Sequence, residues 1–274
     1  MSTIGMLQGR FPFVRFGTGP APLMVVPGIA LDNHMPEEGT SRAYSWALRR
    51  LAVGRTITIV RRPRGLAHDA LGSAGIDTAE IADAYAAVMR DELGPVDVMA
   101  LSTGGLIAQH LALGHPHLVR RLVLVVTGTR IAARGRQTCQ TWLALTQRHA
   151  WRALRGELAA VAVDGPVSVR LARLLGSSGR EPDPRDVTDF AATVVAALRH
   201  DTTGALDTLT SPTLVLGGRD DPFFPEPVLR ATAAQIPDAT LRVHAGGHGI
   251  PKQHGRWLQN QVAAFLTLPS ATGG

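Results

Sequence analysis

The 274-residue chain has one cysteine, Cys139, and one lysine, Lys252. A lone cysteine has no partner within the chain, which excludes an intrachain disulfide framework and gives no reason to place the protein in an oxidising compartment. No apolar run approaches the length of a membrane span. Met1 to Arg10 also lacks the basic start and apolar stretch of a secretory signal. A soluble, cytoplasmic protein is therefore expected. The net charge of +6 comes almost wholly from arginine, and the arginines are scattered. The densest group, Arg61, Arg62 and Arg64, is interrupted by Pro63. With aromatics at 5% there is no basic stripe interleaved with stacking residues, so a nucleic-acid partner is not expected. There is no internal repeat and no low-complexity segment.

What the chain does have is apolar surface to bury. A hydrophobic fraction of 45% against 18% charged residues suits a large core. Phe11 to Phe16 has strand character, and Pro22 to Val26 is an apolar run that stops at Pro27-Gly28. A helix is expected from about Thr40 or Ser41, with Ala43, Ala47, Leu48 and Leu51 on one face. Arg55 to Val60 alternates Thr and Ile, as a strand does. Asp77 followed by Glu80 is a helix start in which Asp caps and Glu reaches back. Ile81, Tyr85, Val88, Met89 and Leu93 then share a face until Gly94-Pro95. Val96 to Leu101, Leu122 to Val126, Thr213 to Leu216 and Thr240 to Val243 complete the strands. Strands alternating with helices imply crossover units and a parallel sheet covered on both faces.

The alternation fails once. Gly128 to Asp207 is rich in Ala, Leu and Arg and reads as several helices without a strand, broken at Gly165-Pro166 and from Gly176 to Pro184. Residues 1–127 and 208–274 are thus expected to form a core, and 128–207 a helical cap inserted in it. A closing helix carries Trp257, Leu258, Val262, Phe265 and Leu266, and the tail from Ser270 to Gly274 is expected to be disordered.

Three short motifs carry chemistry. Val96 to Leu101 runs into Ser102-Thr103-Gly104-Gly105, with small residues two before and two after the serine, Ala100 and Gly104. That spacing suits a sharp strand-to-helix turn, which holds a serine in a strained conformation and exposes its hydroxyl. A serine hydroxyl needs a base to take its proton and a carboxylate to orient that base. Gly217-Gly218-Arg219-Asp220-Asp221-Pro222 follows one later strand, and Gly246-Gly247-His248-Gly249 follows the last. All three motifs fall at the C-terminal ends of strands, where open parallel sheets build their sites.

In this order, Ser then Asp then His, the chain resembles the α/β-hydrolase family from about Phe11 to Leu268. The resemblance implies an α/β-hydrolase fold: a mostly parallel central sheet flanked by helices, with the helical cap inserted after the sixth strand. It implies Ser102 as nucleophile, His248 as general base and then acid, and Asp221 as the orienting carboxylate, with Asp220 the rival. It also implies an oxyanion hole made by the backbone N–H groups of Thr103 and Ile29. Here the sequence departs from the family, because Pro27-Gly28 stands where His-Gly is usual. The backbone donor survives that change, but an anchoring side chain is lost.

For the substrate pocket the candidates are His34, Trp142, Phe223 and Phe224, which favour a hydrophobic acyl or alcohol group. Trp142, Trp151 and Phe190 are equally explained as glue between cap helices. Arg130, Arg134 and Arg136 begin the cap, either to meet an anion or as surface residues. The expected function is hydrolysis of an ester, lactone or thioester of a small molecule through an acyl-serine, with no metal and no cofactor. Elimination, C–C cleavage or cyclisation by the same triad, and a non-catalytic ligand receptor, are the alternatives.

Overall fold

The apolar runs that the sequence offers become strands buried on both faces, as parallel strands sandwiched between helices must be. In the computed structural model, which describes residues 2–66, 75–177 and 179–267, they form one eight-stranded sheet. The strands are β1 (Thr3–Leu7), β2 (Phe11–Phe16), β3 (Ala21–Val26), β4 (Arg55–Val60), β5 (Val96–Leu101), β6 (Val119–Val125), β7 (Thr213–Gly218) and β8 (Ala239–His244). Their spatial order is β1-β2-β4-β3-β5-β6-β7-β8. β2 runs antiparallel to both β1 and β4, and every pairing from β4 onward is parallel.

β1 is absent from the sequence reading for a physical reason. It is an edge strand in which only Leu7 is buried, so it carries little apolar signal. It is joined to β2 by a tight turn in which Gln8 and Gly9 both take positive φ. The expected tail from Ser270 to Gly274 lies outside the described residues.

Helices cover the two faces. On one, α2 (Thr78–Val88) and α3 (Thr103–Gly114) lay Ile81, Tyr85, Leu106 and Leu111 against Met24, Val98, Ala100 and Leu122. Asp77 caps α2 while the Glu80 carboxylate accepts the Asp77 N–H, the reciprocal arrangement read from the sequence. On the other face, α1 (Glu38–Ala47) and the closing helix Gly255–Thr267 cover Leu23, Val25, Met99 and Leu216. The buried side of α1 differs from expectation. Leu48 and Leu51 face the core as expected, but Ala43 and Ala47 are exposed and the helix turns Ser41 and Tyr44 inward.

Four described α-helices separate β6 from β7: α4 (Ala133–Gln147), α5 (Trp151–Val161), α6 (Pro166–Gly176) and α7 (Pro184–Arg199). Two of their breaks fall at Gly165-Pro166 and between Gly176 and Pro184, as expected, and a third, at residues 148–150, was not expected. Proline opens α6 and α7, since its missing N–H is one the first helical turn does not need. The remaining helices are α8 (Glu226–Gln235), the short α9 (Ile250–Gln253) and, in chain order, α10 (Gly255–Thr267). No helix among the described residues is long and apolar enough to cross a membrane.

Candidate active site

Parallel pairing puts the ends of β3, β5, β7 and β8 along one edge of the sheet, and each end delivers a part of the site. β5 delivers Ser102. Its backbone sits at φ 51°, ψ −121°, where a non-glycine residue is strained, and the flanking strand and helix hold it there. The Ser102 N–H donates to the Val125 carbonyl at 2.9 Å. The turn is possible only because the next residues are small. A Cβ on Gly104 would lie 2.5 Å from the Val26 carbonyl oxygen, and one on Gly105 would lie 2.3 Å from the Thr127 methyl. Ala100 is fully buried between β3 and β6, so alanine fills the place of the usual first glycine.

β7 and β8 deliver the partners. His248 Nε2 stands 3.0 Å from Ser102 Oγ, and His248 Nδ1 stands 2.7 Å from Asp221 Oδ2. The other Asp221 oxygen accepts the backbone N–H groups of Phe223 and Phe224 at 2.8 and 3.1 Å. An ionised carboxylate can only accept, so Nδ1 carries the imidazole proton and Nε2 is left to accept the Ser102 hydroxyl. Asp220, the neighbouring acid, is exposed and makes no hydrogen bond to His248.

The loop after β3 completes the edge. A Cβ built on Gly28 lies 3.2 Å from Ser102 Cβ, which brings the Gly28–Ile29 peptide against the nucleophile. The N–H groups of Ile29 and Thr103 have no acceptor among the described residues, and Thr103 opens α3, where the helix dipole favours an anion.

What holds this loop went unread in the sequence. Arg62, at the end of β4, turns inward and is 8% exposed. Its guanidinium donates to the Ala30 carbonyl, to the Leu31 carbonyl at 3.2 Å and to the Asp186 carbonyl at 3.4 Å. Burial lowers the Arg62 guanidinium to about 10, with Asp189 and Asp186 opposing the shift, so it stays charged at neutral pH. Arg61 donates to the Asp32 and His34 carbonyls. Asn33 N–H donates to Asp186 on α7, and Arg155 on α5 forks onto the Asp32 carboxylate at 2.5 and 2.9 Å. Arg61 and Arg62, two of the three arginines in the densest basic group, thus clamp the loop whose usual histidine anchor is missing. The sequence signal was present: three arginines at the end of a strand, next in the sheet to the strand that ends in Pro27-Gly28.

Two cavities meet at His248. One, of about 190 Å³, contains Ser102 and is walled by Ile29, Trp142, Leu158 and Val161, with Lys252 at its side. The other, of about 390 Å³, is polar, with Arg134, Glu157, Asp164, Arg173 and Asp220 around Phe223 and His248. Of the four residues expected in a pocket, Trp142 lines the first cavity and Phe223 the second. Trp142 stacks on Phe223 with ring centroids 5.7 Å apart, and Phe223 lies 4.8 Å from the His248 ring. Phe224 lines neither cavity. It packs beneath His248, at 6.2 Å, and is 1% exposed. His34 lines neither as well, because its loop is drawn toward Asp186, 4.0 Å from its Nδ1, and leaves the ring half exposed. Of the three arginines that open the inserted helices, Arg134 faces the polar cavity. Arg136 donates to the Leu198 carbonyl, and Arg130 lies 4.0 Å from Asp201.

Comparison with known proteins agrees with this arrangement at the level of family. The model of the alpha/beta hydrolase family matches residues 23–260. A poly(3-hydroxyalkanoate) depolymerase of Ectopseudomonas oleovorans is 27% identical over 170 residues, 57% of this chain and 56% of that relative. The chain therefore spans little more than half the length of the curated relative it matches. The enol-lactonase from Burkholderia xenovorans LB400 superposes with a TM-score of 0.76 at 18% identity, covering 97% of this chain and all of that one. A thermophilic esterase from Thermogutta terrifontis does so at 0.69 and 21%, covering 97% and 98%. At such identities the two structures speak for the fold alone.

Proposed function

Because the chain belongs to the alpha/beta hydrolase family, we propose that it cleaves an ester, lactone or thioester of a hydrophobic small molecule through an acyl-Ser102 intermediate. The observation that carries this reading is the unbroken line from Ser102 Oγ through His248 to Asp221, at 3.0 and 2.7 Å. His248 Nε2 takes the Ser102 proton as Oγ attacks the carbonyl carbon. The oxyanion that forms is met by the Ile29 and Thr103 N–H groups, each such donor being worth about 10²–10³-fold in turnover. Nε2–H then protonates the departing alkoxide or thiolate. Water, deprotonated by Nε2, attacks the acyl carbon, and the acid leaves as Oγ regains its proton. The apolar walls around Ser102 suit the hydrophobic part of the substrate, and the polar cavity beyond His248 suits the leaving group and the water that replaces it. The proteins this chain is similar to include a depolymerase, an esterase and an enol-lactonase, which supports hydrolysis as the reaction class.

The test is turnover of p-nitrophenyl butanoate, a short lactone and a short thioester by the purified protein. Hydrolysis of at least one is expected. A protein whose Ser102 reacts with a fluorophosphonate but which hydrolyses none of them would move the chemistry to elimination or C–C cleavage.

Arg62 acts in this scheme as a positioning residue, since its fork fixes the carbonyls just after Ile29. Arg62→Lys keeps the charge but cannot span two carbonyls with a planar fork. We expect it to lower kcat by up to about a hundredfold with KM changed far less, as a small misplacement of a transition-state donor does. Steady-state kinetics normalised to fluorophosphonate-titrated sites separates this from misfolding. An unchanged kcat would show that the loop holds its shape without the fork.

A further inference from the structure

We propose that a second apolar cavity, lying under α1 on the opposite face of the sheet from α3, continues the acyl site and takes the alkyl chain of a linear acyl group longer than butanoyl. The proposal rests on Ser102 being the acyl acceptor. The cavity holds about 170 Å³ and is walled by Val25, Ile59 and Met99 from the sheet, Tyr44 and Leu48 from α1, and Leu258 from α10.

Two observations tie it to the nucleophile. Leu101 and Pro251 line both this cavity and the one that contains Ser102, so the two spaces adjoin at these side chains. Leu101 immediately precedes Ser102, and Pro27, also in the wall, immediately precedes Gly28. Along β5 the side chains alternate, so Met99 and Leu101 face α1 and α10 while Val98 and Ala100 face α3. A chain leaving the acyl carbon at Ser102 over Leu101 therefore descends on the side of Met99.

The wall's chemistry selects the occupant. Its polar side chains are Tyr44 and Gln259. Gln259 is engaged at both ends, accepting the Arg50 N–H at 3.2 Å and donating to the Gly255 carbonyl at 3.1 Å. No charged side chain lines the space, so it rewards methylenes and offers nothing to an ionic or heavily hydroxylated group.

Gly255, in the same wall, allows the space to be closed. A Cβ placed there meets only Gln259 Nε2, at 4.0 Å, so Gly255→Leu has room to fill the cavity without a backbone clash. Ala47, exposed on α1 but also in the cavity wall, gives a second position at which to narrow the space, in Ala47→Phe. In the wild type, kcat/KM for p-nitrophenyl esters is expected to rise about three- to fourfold per methylene from butanoate to octanoate. In either variant the octanoate-to-butanoate ratio is expected to fall at least about tenfold. A wild-type ratio at or below one, or the same ratio in all three proteins, would overturn the proposal. Calorimetric binding of octanoate reads the cavity without turnover. Binding to the wild type that weakens tenfold or more in Gly255→Leu supports the chain site even if no ester is hydrolysed. Equal binding by both proteins, with esters hydrolysed, rejects the chain site and leaves the hydrolase reading standing.

Discussion

Replacing Ser102 by alanine is expected to lower kcat on p-nitrophenyl butanoate by about 10⁵–10⁶-fold, leaving only the contribution of the oxyanion donors and of binding. The size of the effect follows from geometry. Ser102 is the hydroxyl bonded to His248 Nε2, and it stands beside both backbone donors. The alanine variant keeps the Cβ that fits the strained turn at φ 51° and removes only the oxygen, so the fold has no reason to change. Residual turnover is measured with single-turnover quantities of enzyme. A loss of less than tenfold would mean that another group attacks the substrate.

The second large effect is expected at Asp221, and it separates that residue from Asp220. Asp221→Asn should reduce kcat by about 10⁴-fold. The Phe223 and Phe224 N–H groups require an acceptor, which fixes the amide oxygen on their side and turns the new NH₂ toward His248. Nδ1 must then accept, the ring proton moves to Nε2, and the nitrogen facing Ser102 can no longer take its proton. Asp220→Asn should change turnover by less than about threefold, because its side chain is exposed and makes no bond to the ring. If the Asp220 change alone abolishes turnover, Asp221 is not the orienting acid.

The grouping of Ser102, Asp221 and His248 was legible in the sequence because each follows a strand and lies within four residues of that strand's end. Short-range backbone geometry is what sequence spacing encodes. The loop anchor was not legible in the same way. Arg62 reaches Ala30 and Leu31 only because β3 and β4 are neighbours in the sheet, a pairing between segments about thirty residues apart. Read along the chain, Arg61, Arg62 and Arg64 are a cluster of like charge; read across the sheet, Arg61 and Arg62 hold the loop where the usual histidine is missing.

The pocket was the least legible part. Trp142, Phe223 and Phe224 are all buried, yet they fall respectively on one cavity, on the other and on neither. Which way a helix turns its aromatic face depends on its neighbours, and apolar content alone does not reveal it. The walls that α5 contributes, Leu158 and Val161, gave no signal beyond ordinary amphipathic spacing. Lys252, the one lysine of the chain, borders the same cavity, four residues beyond His248 on the short helix α9. The cavity under α1 was hidden for a related reason. Ala43, Ala47 and Leu48 suggest a buried stripe, whereas the helix presents Tyr44 beside Leu48 to the sheet and leaves space above Met99.

Whether Ser102 Oγ is an activated nucleophile is read most directly by reaction with a fluorophosphonate, followed by intact-mass measurement and peptide mapping. One phosphonyl group per chain, located on Ser102 and missing from Ser102→Ala, is the expected result. A wild-type protein that stays unlabelled, or carries the label elsewhere, would contradict it.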